Sequence, residues 1–222
     1  MKVIITGATG MVGEGVMMEC INNPEVESIL LLTRRPAGVI NAKVTEVIVP
    51  DLFDITSVQS KLSGYDACFF CLGVSAVGMK EDAYRKVTYD LTMNIAYKLS
   101  DVNPGMVFCY VSGAATDSTE KGRLMWARVK GKTENDLRKL PFKASYAFRP
   151  GFLIPSKGAK NVLSMYKYFS WLVPVLKLLA PQLICSLSEL GKAMIYVTKS
   201  GFPKNILEVR DIKEAAVLQG TI

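Results

Sequence analysis

Three glycines and a pair of arginines are the residues whose spacing points most directly to chemistry. Gly7, Gly10 and Gly13 recur at every third position within KVIITGATGMVG, the stretch from Lys2 to Gly13. The apolar run Val3-Ile4-Ile5 precedes them, and Val16, Met17, Cys20 and Ile21 follow at helical spacing. A strand, a glycine turn and a helix in that order form a phosphate-binding corner. Gly7 permits the tight turn, Gly10 lets backbone approach a pyrophosphate, and Gly13 lets helix and strand pack closely. The unpaired N–H groups at the helix start then face the anion. A glycine pattern alone also fits a plain structural turn, but its place between a strand and a helix favours the ligand reading. Arg34 and Arg35 follow a second apolar run, SILLLT. An acidic residue at that strand end would bind adenosine ribose hydroxyls and repel a 2′-phosphate, whereas guanidinium groups suit phosphate. These residues therefore favour NADP over NAD.

The remaining chemistry is bounded by what the chain lacks. It has no histidine, so any acid–base work falls to Tyr, Lys, Asp, Glu, Cys or water. Cys68 and Cys71 are three apart in DACFFCLG, which reads as a strand, so they point to opposite faces and hold neither a metal nor a disulfide. No metal site is expected.

Elements to position these groups follow in regular alternation. Strands are predicted at Ser28–Thr33, Val44–Val49, Asp66–Leu72, Met106–Val111 and Ala144–Phe148. A short helix is read over Ser57–Leu62, and longer ones over Glu81–Leu99 and Arg123–Leu140. The rhythm predicts a doubly wound parallel α/β sheet with its ligand crevice at the carboxyl ends of the strands. Gly7, Arg34, Asp51, Gly73, Ser112 and Pro150 all fall just past strand ends. Ser186 and Glu189 have capping-box spacing for a helix through Val197. A returning strand is read at Ile206–Val209 and a closing helix at Asp211–Val217.

With 222 residues the chain suits a single domain, 1–222, with 152–205 as a small helical cap on the substrate side. Leu163 to Leu187 is rich in aromatic and aliphatic residues. A cap is preferred there to an interfacial membrane helix, because Pro174 and Pro181 interrupt any long amphipathic face. No uncharged apolar stretch approaches the roughly 20 residues of a membrane span. The formal charge is +7, but the basic residues are scattered and no nucleic-acid-binding motif accompanies them, which argues against nucleic acid. Five cysteines, an odd number, argue against a secreted disulfide scaffold, and the N-terminal apolar run is too short for a signal peptide. A cytoplasmic setting is expected.

The stretches TGATGMVG, Asp51-Leu52, CLG at Gly73, YVSG at Ser112, Lys130 in a helix and RPG at Gly151 together carry a resemblance. The chain resembles the extended or atypical short-chain dehydrogenase/reductases, especially their small NmrA-like and Tat-interacting-protein-like NAD(P)H-binding members. The resemblance implies a Rossmann fold. It implies that Gly7, Thr9, Gly10, Met11 and Val12 hold the pyrophosphate, Arg34 with Arg35 the 2′-phosphate, and Asp51 with Leu52 the adenine. Leu72 and Gly73 would line the adenosine ribose and the nicotinamide side. Lys130 would bind the nicotinamide ribose, and Pro150, Gly151 and Phe152 would lie beside the nicotinamide.

One departure concerns catalysis. The family places a tyrosine four residues before the lysine, and here that position is Trp126. An indole donates a hydrogen bond but is no proton acid near neutral pH. Trp126 then reads as a wall of the substrate pocket, with Lys130 and Ser112 as the candidate catalytic groups. Thr116 is the alternative hydroxyl, and Tyr84, Tyr89, Tyr110 and Tyr146 are alternative acids. Two functions follow: an NADP-dependent oxidoreductase or epimerase-like enzyme acting on a small molecule, or a dinucleotide-binding sensor or scaffold without catalysis.

Overall fold

Strand β1 (Lys2–Thr6) occupies the middle of a parallel sheet because its residues suit burial on both faces: Val3, Ile4 and Ile5 are fully enclosed. It pairs on one side with β2 (Ser28–Thr33), Ile5 opposite Leu31, and on the other with β4 (Ala67–Phe70), Ile5 opposite Phe69. Strand β3 (Val44–Ile48) lies beyond β2, and β5 (Val107–Val111), β6 (Ala144–Arg149) and β9 (Ile206–Glu208) extend the other side. The order is β3-β2-β1-β4-β5-β6-β9, every pairing parallel. Chain order reverses at β1, which creates a crevice at the carboxyl ends of β1 and its neighbours. The computed structural model describes residues 1–156, 158–162 and 180–221.

Helices cover both faces. On one side α1 (Met11–Asn22), α5 (Leu187–Ser200) and α6 (Val209–Gln219) bury Val16, Cys20, Leu190, Met194 and Ile212 against the Val3/Ile5 face. On the other, α3 (Leu91–Val102) and α4 (Met125–Leu137) cover Ile4, Cys68, Phe70, Phe108 and Tyr110. Alternate strand residues thus supply the two cores, as the two-residue period of a strand requires. Each fully buried Ile, Leu or Phe contributes roughly 1.5–3 kcal/mol by removing apolar area from water.

The predicted elements recur with shifts at their ends. The short helix is a 3-10 turn, Thr56–Leu62. The helix read from Glu81 begins as α2 (Glu81–Arg85) and passes through a π turn, Lys86–Asp90, into α3. The Ser186–Glu189 capping box is present: the Ser186 hydroxyl accepts from Glu189 N at 3.1 Å, and Ser186 N donates to the Glu189 carboxylate at 2.7 Å. Sequence reasoning omitted a small parallel sheet of β7 (Phe152–Ile154) and β8 (Ile184–Ser186). Three-residue strands carry too little alternation to be recognised. Of the Leu163–Leu187 stretch read as a cap, residues 163–179 lie outside those described, and α5 at its far end packs on α1.

Candidate functional site

The chain leaves β1 through Gly7 and enters α1 at Gly10. Gly7 has φ +73°, a left-handed backbone that favours glycine, and a Cβ there would stand 2.8 Å from the Cys71 carbonyl carbon. A Cβ at Gly13 would stand 2.2 Å from the Gly7 carbonyl oxygen. The turn is therefore folded onto the first turn of α1 with no room for side chains. Gly10 N donates to Gly7 O and Gly10 O accepts from Glu14 N, both at 2.9 Å. No side chain caps this helix start, so the first N–H groups of α1 and the positive end of its dipole are presented outward.

That turn opens on a cavity of about 390 Å³. Gly7, Thr9 and Leu72 line one wall, Leu32, Thr33, Arg34 and Arg35 a second, and Pro50 with Leu52 a third. Both arginines are exposed, and neither has an ion-pair partner among the described residues. The nearby Glu46 carboxylate is engaged by Ala37 N, at 3.2 and 3.3 Å, just beyond the arginine pair. Thr33 is only 5% exposed, and its hydroxyl has no hydrogen-bond partner among the described residues. A buried unpaired hydroxyl costs about 1–3 kcal/mol, and here the oxygen is enclosed by the protein beneath the cavity wall. Outward N–H groups and two unpaired guanidinium groups fit the phosphates of a dinucleotide.

The second half of the crevice lies at the ends of β5 and β6. The Lys130 ammonium, on α4, donates to Ser112 O at 2.9 Å and to Val111 O at 3.4 Å, and lies 5.7 Å from the centre of the Tyr110 ring. Burial pulls its pKa down to about 8, against the opposing pull of the Glu134 charge. Ser112 is buried, with its Oγ 3.0 Å from Thr116 Oγ1. Thr116 gives its single hydroxyl proton to Gly113 O at 2.8 Å, so Ser112 donates to Thr116 and keeps a lone pair free. Trp126 stands half-buried in the first turn of α4, one helical turn before Lys130. Ser112 N donates to Phe148 O at 2.8 Å and Ala114 N to Pro150 O at 3.0 Å, which ties the β5 loop to the RPG turn. Phe152 begins β7 directly after that turn.

The four alternative tyrosines are committed elsewhere. Tyr84 and Tyr110 are almost fully buried, and burial raises both pKa values. Tyr89, pushed up to about 12 by burial and by Asp136, donates to Asp136 at 2.7 Å. Tyr146 accepts from Phe202 N at 3.1 Å.

Gly7, Thr9, Arg34, Arg35, Leu52 and Leu72 line one cavity, and Gly10, Met11 and Val12 form the adjoining helix start. Gly73 is exposed immediately after Leu72. Asp51 is not among the lining residues: its exposed carboxylate accepts from Phe53 N at 2.9 Å and shapes the turn instead. Sequence reasoning missed Thr33, whose position in an apolar strand disguised it. It also missed Glu14, buried in the first turn of α1, whose carboxylate accepts from Lys160 N at 2.8 Å and Asn161 N at 2.7 Å. A carboxylate between two glycines at the head of an apolar helix was the available signal.

Among the described residues no helix is long and apolar enough to cross a membrane. Among solved structures, the fold is shared with MoeE5 in complex with UDP-glucose and NAD: TM-score 0.67, 13% identity, 99% of this chain and 82% of that one. It is shared likewise with Helicobacter pylori ADP-L-glycero-D-manno-heptose-6-epimerase, at TM-score 0.69 and 12% identity, covering 99% and 81%. These likenesses show an α/β Rossmann-like fold. No family model matches the chain. Sequence relatives are fungal proteins named FMP52, mitochondrial. The protein from Eremothecium gossypii is 31% identical over 156 residues, 69% of this chain and 67% of the relative. The one from Candida albicans is 25% identical over 213 residues, 90% of this chain and 89% of the relative. With several others the match spans about two thirds of the relative's length. These names overturn the cytoplasmic expectation. It rested on an odd cysteine count, an N-terminal apolar run read as too short for a signal peptide and the lack of a span-length apolar stretch, none of which distinguishes the cytoplasm from another compartment. The chain belongs to the FMP52 family.

Proposed function

We propose that this protein binds NADP(H) along the crevice from Gly7 to Phe152 and serves as an oxidoreductase-like protein for a small molecule. A mitochondrial setting and the narrower NmrA-like and Tat-interacting-protein-like resemblance belong to the same reading. The observation that carries it is the cavity that Arg34 and Arg35, both unpaired among the described residues, line together with Gly7 and Thr9 of the glycine corner. In this reading the N–H groups of α1 hold the pyrophosphate, the arginines hold the 2′-phosphate, and Leu52 and Leu72 enclose the adenosine. Lys130 donates to the nicotinamide ribose hydroxyls, and Pro150, Gly151 and Phe152 flank the nicotinamide. When bound, NADPH supplies a hydride. The chain's own part is to orient and to move a proton: Ser112 Oγ accepts or returns a hydrogen bond, and Lys130, its pKa drawn down to about 8 by burial, is a group able to exchange a proton. Trp126 forms a wall for the substrate.

Titration of NADPH and NADH against the free protein tests the cofactor assignment. NADPH is expected to bind at least tenfold more tightly, as charge-assisted phosphate contacts imply. Arg34→Glu is expected to abolish the difference. Equal affinities in the unmodified chain would overturn the 2′-phosphate assignment.

Trp126 itself favours a second reading, a dinucleotide-binding sensor or scaffold without turnover, since the helix lacks an acid at that position. The same preparation separates the two: oxidation of NADPH driven by a carbonyl panel supports the enzyme, and tight binding with no oxidation supports the sensor.

A further inference from the structure

Lys130 and Glu134 stand four residues apart on α4, the spacing at which a lysine and a carboxylate ordinarily close an ion pair along a helix. Their actual partners lie elsewhere. The Lys130 ammonium reaches Ser112 O and Val111 O at the crevice. The Glu134 side chain has no solvent exposure, and Arg149 engages both of its oxygens, Nε to Oε1 at 3.0 Å and Nη2 to Oε2 at 2.5 Å. Arg149 is the last residue of β6, directly before the RPG turn's proline. Its guanidinium also donates to Ser118 Oγ at 2.6 Å, in the loop after β5, and to Glu208 Oε1 at 3.3 Å, on β9. A planar fork held at four points from a strand end is rigid in a way that a lysine there would not be.

We propose that Arg149 is the positioning residue of the crevice: by occupying both Glu134 oxygens it denies Lys130 its partner along the helix and so delivers the Lys130 ammonium to the carboxyl edge of the sheet. The consequence for binding rests on the reading of Lys130 as the group that holds the nicotinamide ribose. The geometric part does not. The groups that face Lys130 are Glu134 from its own helix, the Tyr110 ring from β5 and the Ser112 carbonyl beyond it, with Arg149 acting from β6 through Glu134.

The test is Arg149→Met, read by NMR titration of the Lys130 side chain in the free protein and by NADPH affinity. With Glu134 released, Lys130 turns toward it. Its titration is expected to climb from about 8 toward the ordinary lysine value, and NADPH affinity to fall on the order of tenfold. The pair Glu134→Gln with Arg149→Met removes the competing carboxylate, so both readouts are expected to return to those of the unmodified chain. Arg149→Lys, which keeps the charge but engages fewer oxygens, is expected to shift both readouts the same way by less, and it carries the test if Arg149→Met does not fold. A Lys130 titration unmoved by Arg149→Met or Arg149→Lys overturns the proposal. A chain that binds no NADPH overturns the dinucleotide reading, while the titration of the free protein still decides the role of Arg149.

Discussion

The two halves of the crevice are built by different means. The adenosine half is local: Gly7 through Val12 are consecutive, and Arg34 with Arg35 lie at the end of the neighbouring strand. Consecutive backbone N–H groups at the head of α1 supply donors there, and a cavity of about 390 Å³ is already shaped. The half around Lys130 is assembled from four distant stretches: Ser112 after β5, Trp126 and Lys130 on α4, Arg149 on β6, and Glu208 on β9. Side-chain contacts across long separations hold it together. Backbone geometry tolerates changes in surrounding side chains, whereas a chain of side-chain pairs loses its outcome when one member changes.

The largest effect that would break the comparison lies in the backbone-built half. Gly13→Val places a Cβ where only 2.2 Å separates it from the Gly7 carbonyl oxygen, and neither partner is a flexible side chain. Overpacking against backbone is expected to destabilise the fold by about 3 kcal/mol and to remove dinucleotide binding. Thermal unfolding and NADPH titration check it; a variant with unaltered melting and affinity would mean that the turn is not as rigid as described. A smaller effect, confined to stability, is expected from Thr33→Val. Removing the unpaired buried hydroxyl is expected to stabilise the free protein by roughly 1 kcal/mol and to leave NADPH affinity unchanged, because that oxygen is enclosed by the protein. Denaturant unfolding with and without NADPH checks both, and a destabilised free protein would show that the hydroxyl has a structural partner.

The sequence made the backbone-built half legible for the same reason that it is robust. Glycine spacing, an apolar run and a strand-end charge are adjacent letters with local meaning, so the corner, the sheet and the placement of Arg34 could be read directly. Long-range pairings leave no such mark. Nothing local to Glu134 or Arg149 announces that one will take both oxygens of the other, and Lys130 four residues before Glu134 would suggest the opposite partner. The turn-closing bond of Asp51 was hidden for a related reason. A carboxylate just past a strand end can face the ligand or close its own turn, and the backbone N–H of Phe53 decided it. The pair of β7 and β8 escaped because its partners, Phe152 and Ile184, lie on either side of an intervening stretch.

The smallest expected effect is the one that reads the Lys130 half most directly, because one titration moves two observables in opposite directions. Lys130 releases its proton near pH 8 when folded, against 10.5 for an ordinary lysine, chiefly because burial disfavours the charge. Between those two values the unfolded chain holds more protons than the folded one, so this group's contribution to stability rises with pH across that window. Dinucleotide affinity runs the other way. As pH passes upward through about 8 the ammonium becomes a neutral amine, its hydrogen bonds to ribose hydroxyls lose their charge assistance, and affinity is expected to fall several-fold. Lys130→Met is expected to flatten both slopes, leaving the arginine contacts of the adenosine half to set a weaker affinity that is independent of pH near 8. A wild-type affinity that stays level across this range, with a stability that still rises, would place Lys130 in the fold but outside the binding site. The two halves would then differ in purpose as well as in construction.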